Sequence, residues 1–294
     1  MMTIRKNPLI PWWKLAAAAS LCPILLLTNP AFSRQEEGPL QLTSPLGRPL
    51  YAQADPGGRV AGIRSALDAA TDSVELWMEL GLALAGSWRY QEAIDAYSEG
   101  LHRDPFRALL YRHRGHRFIS TRRFEAAAAD LELSSRLDPG NWDTWYHLGL
   151  AHYLNGDFER AVAAYHRCYE LTPAGDDGAL VAVSDWLWMT LMRQGKRERA
   201  SVILERVSPD MEVGENTSYH RRLLMYKGLL NPEDLSSGEA SDLDIATSGY
   251  GVGNFYLVTG RKEQALAIFG RVVEGTYWPA FGFIAAEAEL LRTR

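Results

Sequence analysis

The densest group of residues able to carry chemistry runs from Arg107 to Arg123, where Arg107, Arg112, His113, Arg114, His116, Arg117, Arg122 and Arg123 fall within 17 residues. Guanidinium and imidazole groups at that density make a site for an anion or an acidic segment. Asp104, Glu125 and Asp130 stand close enough in the chain to neutralise the run if it is a solvated helix pair instead. His113 and His116 share a helix face, with His147 and His152 further along. Zinc needs three or four converging ligands, and no Cys pair or His-Glu-x-x-His spacing accompanies them, so no metal site is expected. Asp185, Glu205, Asp210 and Glu212 hold no spacing that demands a catalytic carboxylate pair. Ser, His and Asp occur without a Gly-x-Ser-x-Gly elbow or a strand to carry one. Gly249-Tyr250-Gly251-Val252-Gly253 lacks the preceding strand and the full glycine set of a dinucleotide loop. The chain therefore reads as a non-enzyme, with no catalytic residue and no cofactor.

Residues 1–33 carry Arg5, Lys6 and Lys14 ahead of an apolar stretch from Leu15 to Thr28 and a small-residue site at Ala31-Phe32-Ser33. That is the pattern of a cleaved signal peptide, too short in its apolar part for a comfortable membrane span of roughly 20 residues. Bulky Leu21 before Cys22 argues against a lipid anchor. The expected location is periplasmic or secreted, with membrane anchoring the weaker reading and no stable span after cleavage. Removal of the leader takes three of the 31 basic residues and leaves 28 against 36 acidic, a formal charge of −8. A net acidic chain argues against a nucleic-acid partner. Only Cys168 survives processing, so no intramolecular disulfide can form, and stability has to come from burial.

The elements that position these residues are legible as repeats. Starts at Val74, Ala108 and Trp142 give three copies at a period of 34 residues without a gap. The fourth place holds Trp77, Tyr111 and Trp145; the seventh and eighth hold Leu80-Gly81, Arg114-Gly115 and Leu148-Gly149. The twentieth holds Ala93, Ala127 and Ala161, the twenty-fourth Tyr97, Leu131 and Tyr165, and the thirty-second Pro105, Pro139 and Pro173. This pattern closely resembles the tetratricopeptide repeat (TPR). The resemblance implies an all-α fold, a right-handed superhelix (α-solenoid) of antiparallel helix pairs with one concave face. Small residues at the eighth and twentieth places allow the two helices of a pair to approach, and Pro ends the second one.

Residues 74–107, 108–141 and 142–175 are the regular repeats. A degenerate repeat covers 181–209 with Trp188 at the small-residue place, an irregular insertion 210–245, and a second degenerate repeat with a closing helix 246–294. Residues 34–73 read as a linker or strap, of which Leu46 to Tyr51 can still pack on the body, followed by a short capping helix. Trp186 and Trp188 straddle their helix; one is expected under the 210–245 insertion, and Trp188 fits plain core filling slightly better. Tyr111–His116, Tyr146–Leu150, Asp185-Trp186, Met189–Leu191 and Gly249–Asn254 also resemble a family of exported bacterial repeat proteins over about residues 75–290, which implies fold and export and no chemistry.

In a TPR superhelix the second, fifth, ninth and twelfth places of each first helix face the groove. Those places supply Met78, Leu82, Arg112, His116, Tyr146, Leu150, Tyr153, Asp185, Met189, Tyr250 and Asn254. Tyr and Met give contact area and Arg112 gives register, which suits a peptide or protein segment. The Lys and Asn clamp by which some TPR proteins grip a terminal carboxylate is absent. The leading expectation is an exported protein-interaction scaffold with a protein or peptide partner in this groove. One alternative is an enzyme or small-molecule binder whose pocket, with Asp185, Tyr219, His220 and Asn254, lies under the 210–245 insertion. Another is a self-associating component that forms a homo-oligomer through the closing helix Ala280 to Leu291.

Overall fold

The computed structural model describes residues 38–55, 57–236 and 241–293. The expected leader and its cleavage site lie outside the described residues, as do the first residues of the strap and the middle of the polar loop near 240.

Among the described residues there are thirteen α-helices and one hairpin. The hairpin pairs β1 (Leu40–Thr43) antiparallel with β2 (Pro49–Tyr51). Helix α1 (Arg59–Ala69) packs on α2 (Val74–Gly86), which pairs with α3 (Tyr90–Arg103). The next pairs are α4 (Ala108–Ser120) with α5 (Phe124–Leu137), and α6 (Trp142–Asn155) with α7 (Phe158–Glu170). Helix α8 (Asp177–Arg193) pairs with the short α9 (Arg197–Glu205), α10 (Thr217–Tyr226) stands alone, and α11 (Asp242–Val258) pairs with α12 (Lys262–Glu274). Helix α13 (Phe281–Arg292) closes the chain. None of these helices is long and apolar enough to cross a membrane.

Helix starts follow from caps. The Ser73, Asn141 and Asp176 side chains accept the free amides of Leu76, Thr144 and Ala179, satisfying donors that have no partner within the helix. Helix pairing follows from the eighth place. A Cβ on Gly149 would sit 2.6 Å from the Tyr165 ring, so the glycine lets α6 rest against an aromatic of α7. Gly149→Val should therefore overpack this contact and lower stability by about 1–3 kcal/mol, read as a shift of the urea midpoint at constant slope.

Two expectations are corrected here. The strap is a structured hairpin: Leu50 is buried in the main core, the Trp278 indole N–H donates to the Tyr51 carbonyl (3.0 Å), and Arg48 donates to Val273 O (2.6 Å). Helices α8 and α11 each begin four residues before the starts read from the repeat period, at Asp177 and Asp242, where caps rather than periodicity set the boundary.

The fifteenth place of each repeat, in the turn between its two helices, takes positive φ throughout. Gly156 (84°), Gly195 (72°) and Gly260 (87°) occupy it in the last three repeats, but Trp88 (59°) and Arg122 (62°) occupy it in the first two. A non-glycine residue there costs about 1–2 kcal/mol, so these two side chains must return more than that elsewhere. Both do so against the C-terminal end. Trp88 meets Tyr277 and Trp278 edge-on at 5.0 and 5.7 Å. The Nε of Arg122 lies 2.7 Å from Glu287 Oε2 in α13.

Candidate functional site

Most of the expected groove positions are not open. Tyr146, Leu150, Tyr153, Asp185, Met189, Tyr250 and Asn254 are all buried. The occupant is the chain itself: α10, α11 and α13 lie against the faces of α6 and α8 that an open superhelix would offer to a partner. Phe281, at the start of α13, contacts the rings of His116, Tyr146 and His147 at 5.3, 6.4 and 5.6 Å. The Tyr219 and Tyr146 hydroxyls of α10 and α6 meet at 3.4 Å. Tyr153 OH lies 2.6 Å from Tyr250 OH and donates to Asn254 Oδ1 (3.3 Å), tying α6 to α11. A groove running open through repeats two to four is thus corrected to one whose inner half is core.

Charged groups make this closure specific. In α13 every residue from Gly282 to Glu289 is buried, including two glutamates. Glu287 pairs with Arg122, and Glu289 pairs with Arg193 and Arg292, each at 2.6 Å. Arg292 also donates to the Tyr153 carbonyl (3.1 Å). A helix so enclosed cannot present its apolar side to a second copy, which corrects self-association through residues 280–291.

Asp185 and Arg222 form a wholly buried pair, Nη2 to Oδ2 2.7 Å. Burial pushes the Asp185 carboxyl up to about 7 despite the neighbouring guanidinium. Arg222 remains charged, and it fits only because Gly251 has no side chain: a Cβ there would lie 2.1 Å from Arg222 Nε. The glycine-rich run at 249–253 thus serves packing, with Gly249 set against Val272 and Gly253 against the Phe269 ring. Of the candidate pocket residues, Asp185 and Tyr219 both meet Arg222, whose guanidinium lies 5.3 Å from the Tyr219 ring, and the other two hold separate partners. Asp185 faces Arg222, His220 Nε2 bonds Ser208 O (2.8 Å), and Asn254 faces Tyr153. Trp188 fills the core as expected and there stacks flat on Tyr226 of α10 at 3.7 Å, while Trp186 sits between Tyr153 and Tyr250 with Arg222 of α10 5.9 Å from its ring.

The part of the groove that stays accessible is its mouth, on α2 and α4. Leu82 and Leu109 are 39% and 38% exposed, Met78 is half-buried, and the Arg112 side chain keeps 16% exposure while pairing with Asp143. Behind Arg112, His113 accepts from its guanidinium at Nδ1 (2.9 Å), and the His116 and His147 rings lie 4.2 Å apart. His147 Nδ1–H donates to the Asp143 carbonyl (2.7 Å), and His152 turns away toward Glu132 (3.7 Å). Among the described residues no group of three or more His, Cys, Asp or Glu side chains is placed to hold a metal. An open cleft of about 420 Å³ lies elsewhere, between α1, α2 and α3, with Leu67, Leu80 and Leu84 among its lining and Asp68, Glu92 and Asp95 at its edge.

Burial, reinforced by Arg112 and Arg117, pushes His113 down to about 3 and holds His116 and His147 well below the usual histidine value. The unfolded chain takes up these protons near pH 6.5 and the folded chain only far below it. Their contribution to stability is complete above about pH 6.5 and is lost as pH falls toward 3. Asp185 acts oppositely, its folded value of about 7 standing above its ordinary 3.8, so its contribution declines as pH rises from about 4 to 7. Comparing His113→Gln/His147→Gln with wild type isolates the first effect. The stability difference should move in the variant's favour as pH drops from 7 to 4, by urea titration at each pH; a pH-independent difference would contradict it.

Helix pairs stacked side by side with their inner sides aligned make this an α-solenoid. Its sequence then identifies the kind of repeat: the tetratricopeptide repeat family matches residues 60–108 and 114–176, so the chain carries tetratricopeptide repeats. It is 30% identical over 100 residues, 34% of the chain, to the heat-shock cognate co-chaperone sgt12 of Aspergillus fumigatus, and 33% identical over 97 residues, 33% of the chain, to an Hsp70-Hsp90 organizing protein of Triticum aestivum. The matched segments span 29% and 16% of those relatives' own lengths. Among solved structures it is similar to MamA from Desulfovibrio magneticus RS-1 (19% identity, 54% of this chain and 86% of that one, TM-score 0.48). It is also similar to YrrB, a TPR protein with an unusual peptide-binding site (16% identity, 78% and 98%, TM-score 0.45).

Proposed function

We propose that the chain is a protein-interaction scaffold, exported by its N-terminal leader, and that its docking surface is the mouth of the groove on repeats one and two. The observation that carries this reading is the pair of exposed leucines, Leu82 and Leu109, beside Arg112 on the only stretch of the predicted groove that its own helices leave accessible among the described residues. Apolar area next to a guanidinium that can fix register is what a peptide or protein surface requires. The co-chaperone relatives match over repeats of this kind, which supports a partner-binding role. The closed inner half then serves as the rigid wall against which the mouth is held.

The test uses residues 34–294 as bait in envelope extract, wild type against Leu82→Glu/Leu109→Glu. Both leucines are solvent-exposed, so the substitutions leave the core intact. The reading expects a protein retained by wild type, lost with the double variant, and rebound by wild type when purified. Undiminished capture by the variant would move the docking surface elsewhere.

A further inference from the structure

Of the eight basic residues in the run from Arg107 to Arg123, three are engaged by carboxylates other than Asp143. Arg107 meets Glu75, Arg114 meets Asp130 through two hydrogen bonds, and Arg122 meets Glu287. Arg123 donates to Gln91 and Thr121. The remainder, Arg112, His113, His116 and Arg117, cluster with His147 from the next repeat, the histidines lying behind Arg112. Asp143 is the carboxylate at this cluster, shared between Arg112 and His147 Nδ1 (3.2 Å). Among the described residues no carboxylate pairs with Arg117, whose guanidinium lies 4.8 Å over the Tyr90 ring. With these histidines neutral and Arg112 set against Asp143, the Arg117 guanidinium is the positive charge left without a carboxylate in this cluster among the described residues.

The same inner side shows how it is filled elsewhere. Where α13 lies in the groove, its glutamates meet arginines from the repeats, Glu287 with Arg122 and Glu289 with Arg193, while Phe281 and its apolar neighbours fill the space between. The mouth continues this chemistry without an occupant from the chain: Arg112 and Arg117 stand where further carboxylates would be met, and Leu82 and Leu109 where further apolar side chains would rest. We infer that the mouth binds a partner segment in which side-chain carboxylates alternate with apolar residues, read by Arg112 and Arg117. This rests on the scaffold reading and specifies its partner. It differs from capture of a terminal carboxylate, since the charges recognised are those of side chains.

Fluorescence polarisation with a labelled Glu/Leu octapeptide, acetylated and amidated so that it carries no terminal charge, tests the inference. Wild type should bind it and bind the Gln/Leu counterpart at least about tenfold more weakly, a difference of about 1.4 kcal/mol. Arg112→Gln/Arg117→Gln should lose about the same factor. Because Arg117 packs on Tyr90, a second pair of variants keeps the test independent of folding. Leu109, exposed and one turn before Arg112, should weaken binding as Leu109→Glu and strengthen it as Leu109→Lys. The inference is overturned if the glutamine peptide binds equally, if both Leu109 variants behave as wild type, if only a free-carboxylate peptide binds, or if a single-stranded oligonucleotide of equal charge binds more tightly. Should the acidic peptide fail while an envelope partner is still lost with Leu82→Glu/Leu109→Glu, the acidic-segment inference falls and the scaffold reading stands.

Discussion

Glu287→Ala is expected to destabilise the protein by about 3–5 kcal/mol, because it leaves the Arg122 guanidinium in the core without its counter-charge. The pair is almost wholly enclosed, at 6% and 2% side-chain exposure. Arginine cannot shed its proton to escape. Its remaining contacts, hydrogen bonds to the Ser120 carbonyl (2.5 Å) and the Trp278 carbonyl (3.2 Å) and the Trp278 and Phe283 rings at 5.4 and 5.8 Å, do not replace a carboxylate. Arg122 also holds a backbone conformation that a glycine would adopt more readily. Relief of that strain in Arg122→Gly is worth about 1–2 kcal/mol, less than the cost of stranding Glu287, so this variant too should be destabilised, though by less than Glu287→Ala. Replacing both members with apolar residues, as in Arg122→Met/Glu287→Leu, should restore most of the loss. Chemical denaturation of the four proteins checks the order. Equal stability of Glu287→Ala and wild type would mean that α13 does not sit against the repeats.

Asp185→Ala should cost a similar amount, about 3–5 kcal/mol, by stranding Arg222 at the junction of α8, α10 and α11. The pair is asymmetric. With Arg222 removed, the Asp185 carboxyl, already pushed up to about 7, protonates and becomes neutral. With Asp185 removed, Arg222 stays charged at 0% exposure, left with the Thr247 carbonyl (3.2 Å), Tyr226 OH (3.4 Å) and Met189 Sδ (3.1 Å). Arg222→Met should therefore be the milder change, and the difference between the two single variants measures the stranded charge. Similar losses for both would show that packing volume and not charge dominates this site.

The regular repeats were legible because each of their signature places answers a local packing demand. Gly149 faces Tyr165 within one helix pair, and the same demand recurs at Gly81 against Tyr97 and Gly115 against Leu131. What fills the groove was not legible. The contacts that close it join residues as far apart as Arg122 and Glu287, and the apolar pattern of α13 says that one side is covered without saying by what. A signal was nevertheless present. Trp88 and Arg122 stand at the fifteenth place, where the other repeats have glycine, and strained positions persist only where surrounding contacts hold them. Glu287 and Glu289 in an otherwise apolar helix pointed the same way, since buried acids require partners. The hairpin was hidden for another reason: its strands are four and three residues long and begin among prolines, below the length at which alternation can be read. Of the candidate site, Met78, Leu82, Arg112 and His116 keep some exposure, while the deeper members are buried. Their burial came from elements outside the repeat pattern.

The account turns on α13 being an integral part of the groove wall, which leaves only the mouth to a partner. Hydrogen exchange over residues 281–292, followed by mass spectrometry on the folded chain, measures this directly. Protection of α13 matching that of α6, lost from both together on Glu287→Ala, is the predicted result. Exchange of α13 as fast as the exposed turns, with α6 still protected, would mean that the groove stands open along repeats two to four.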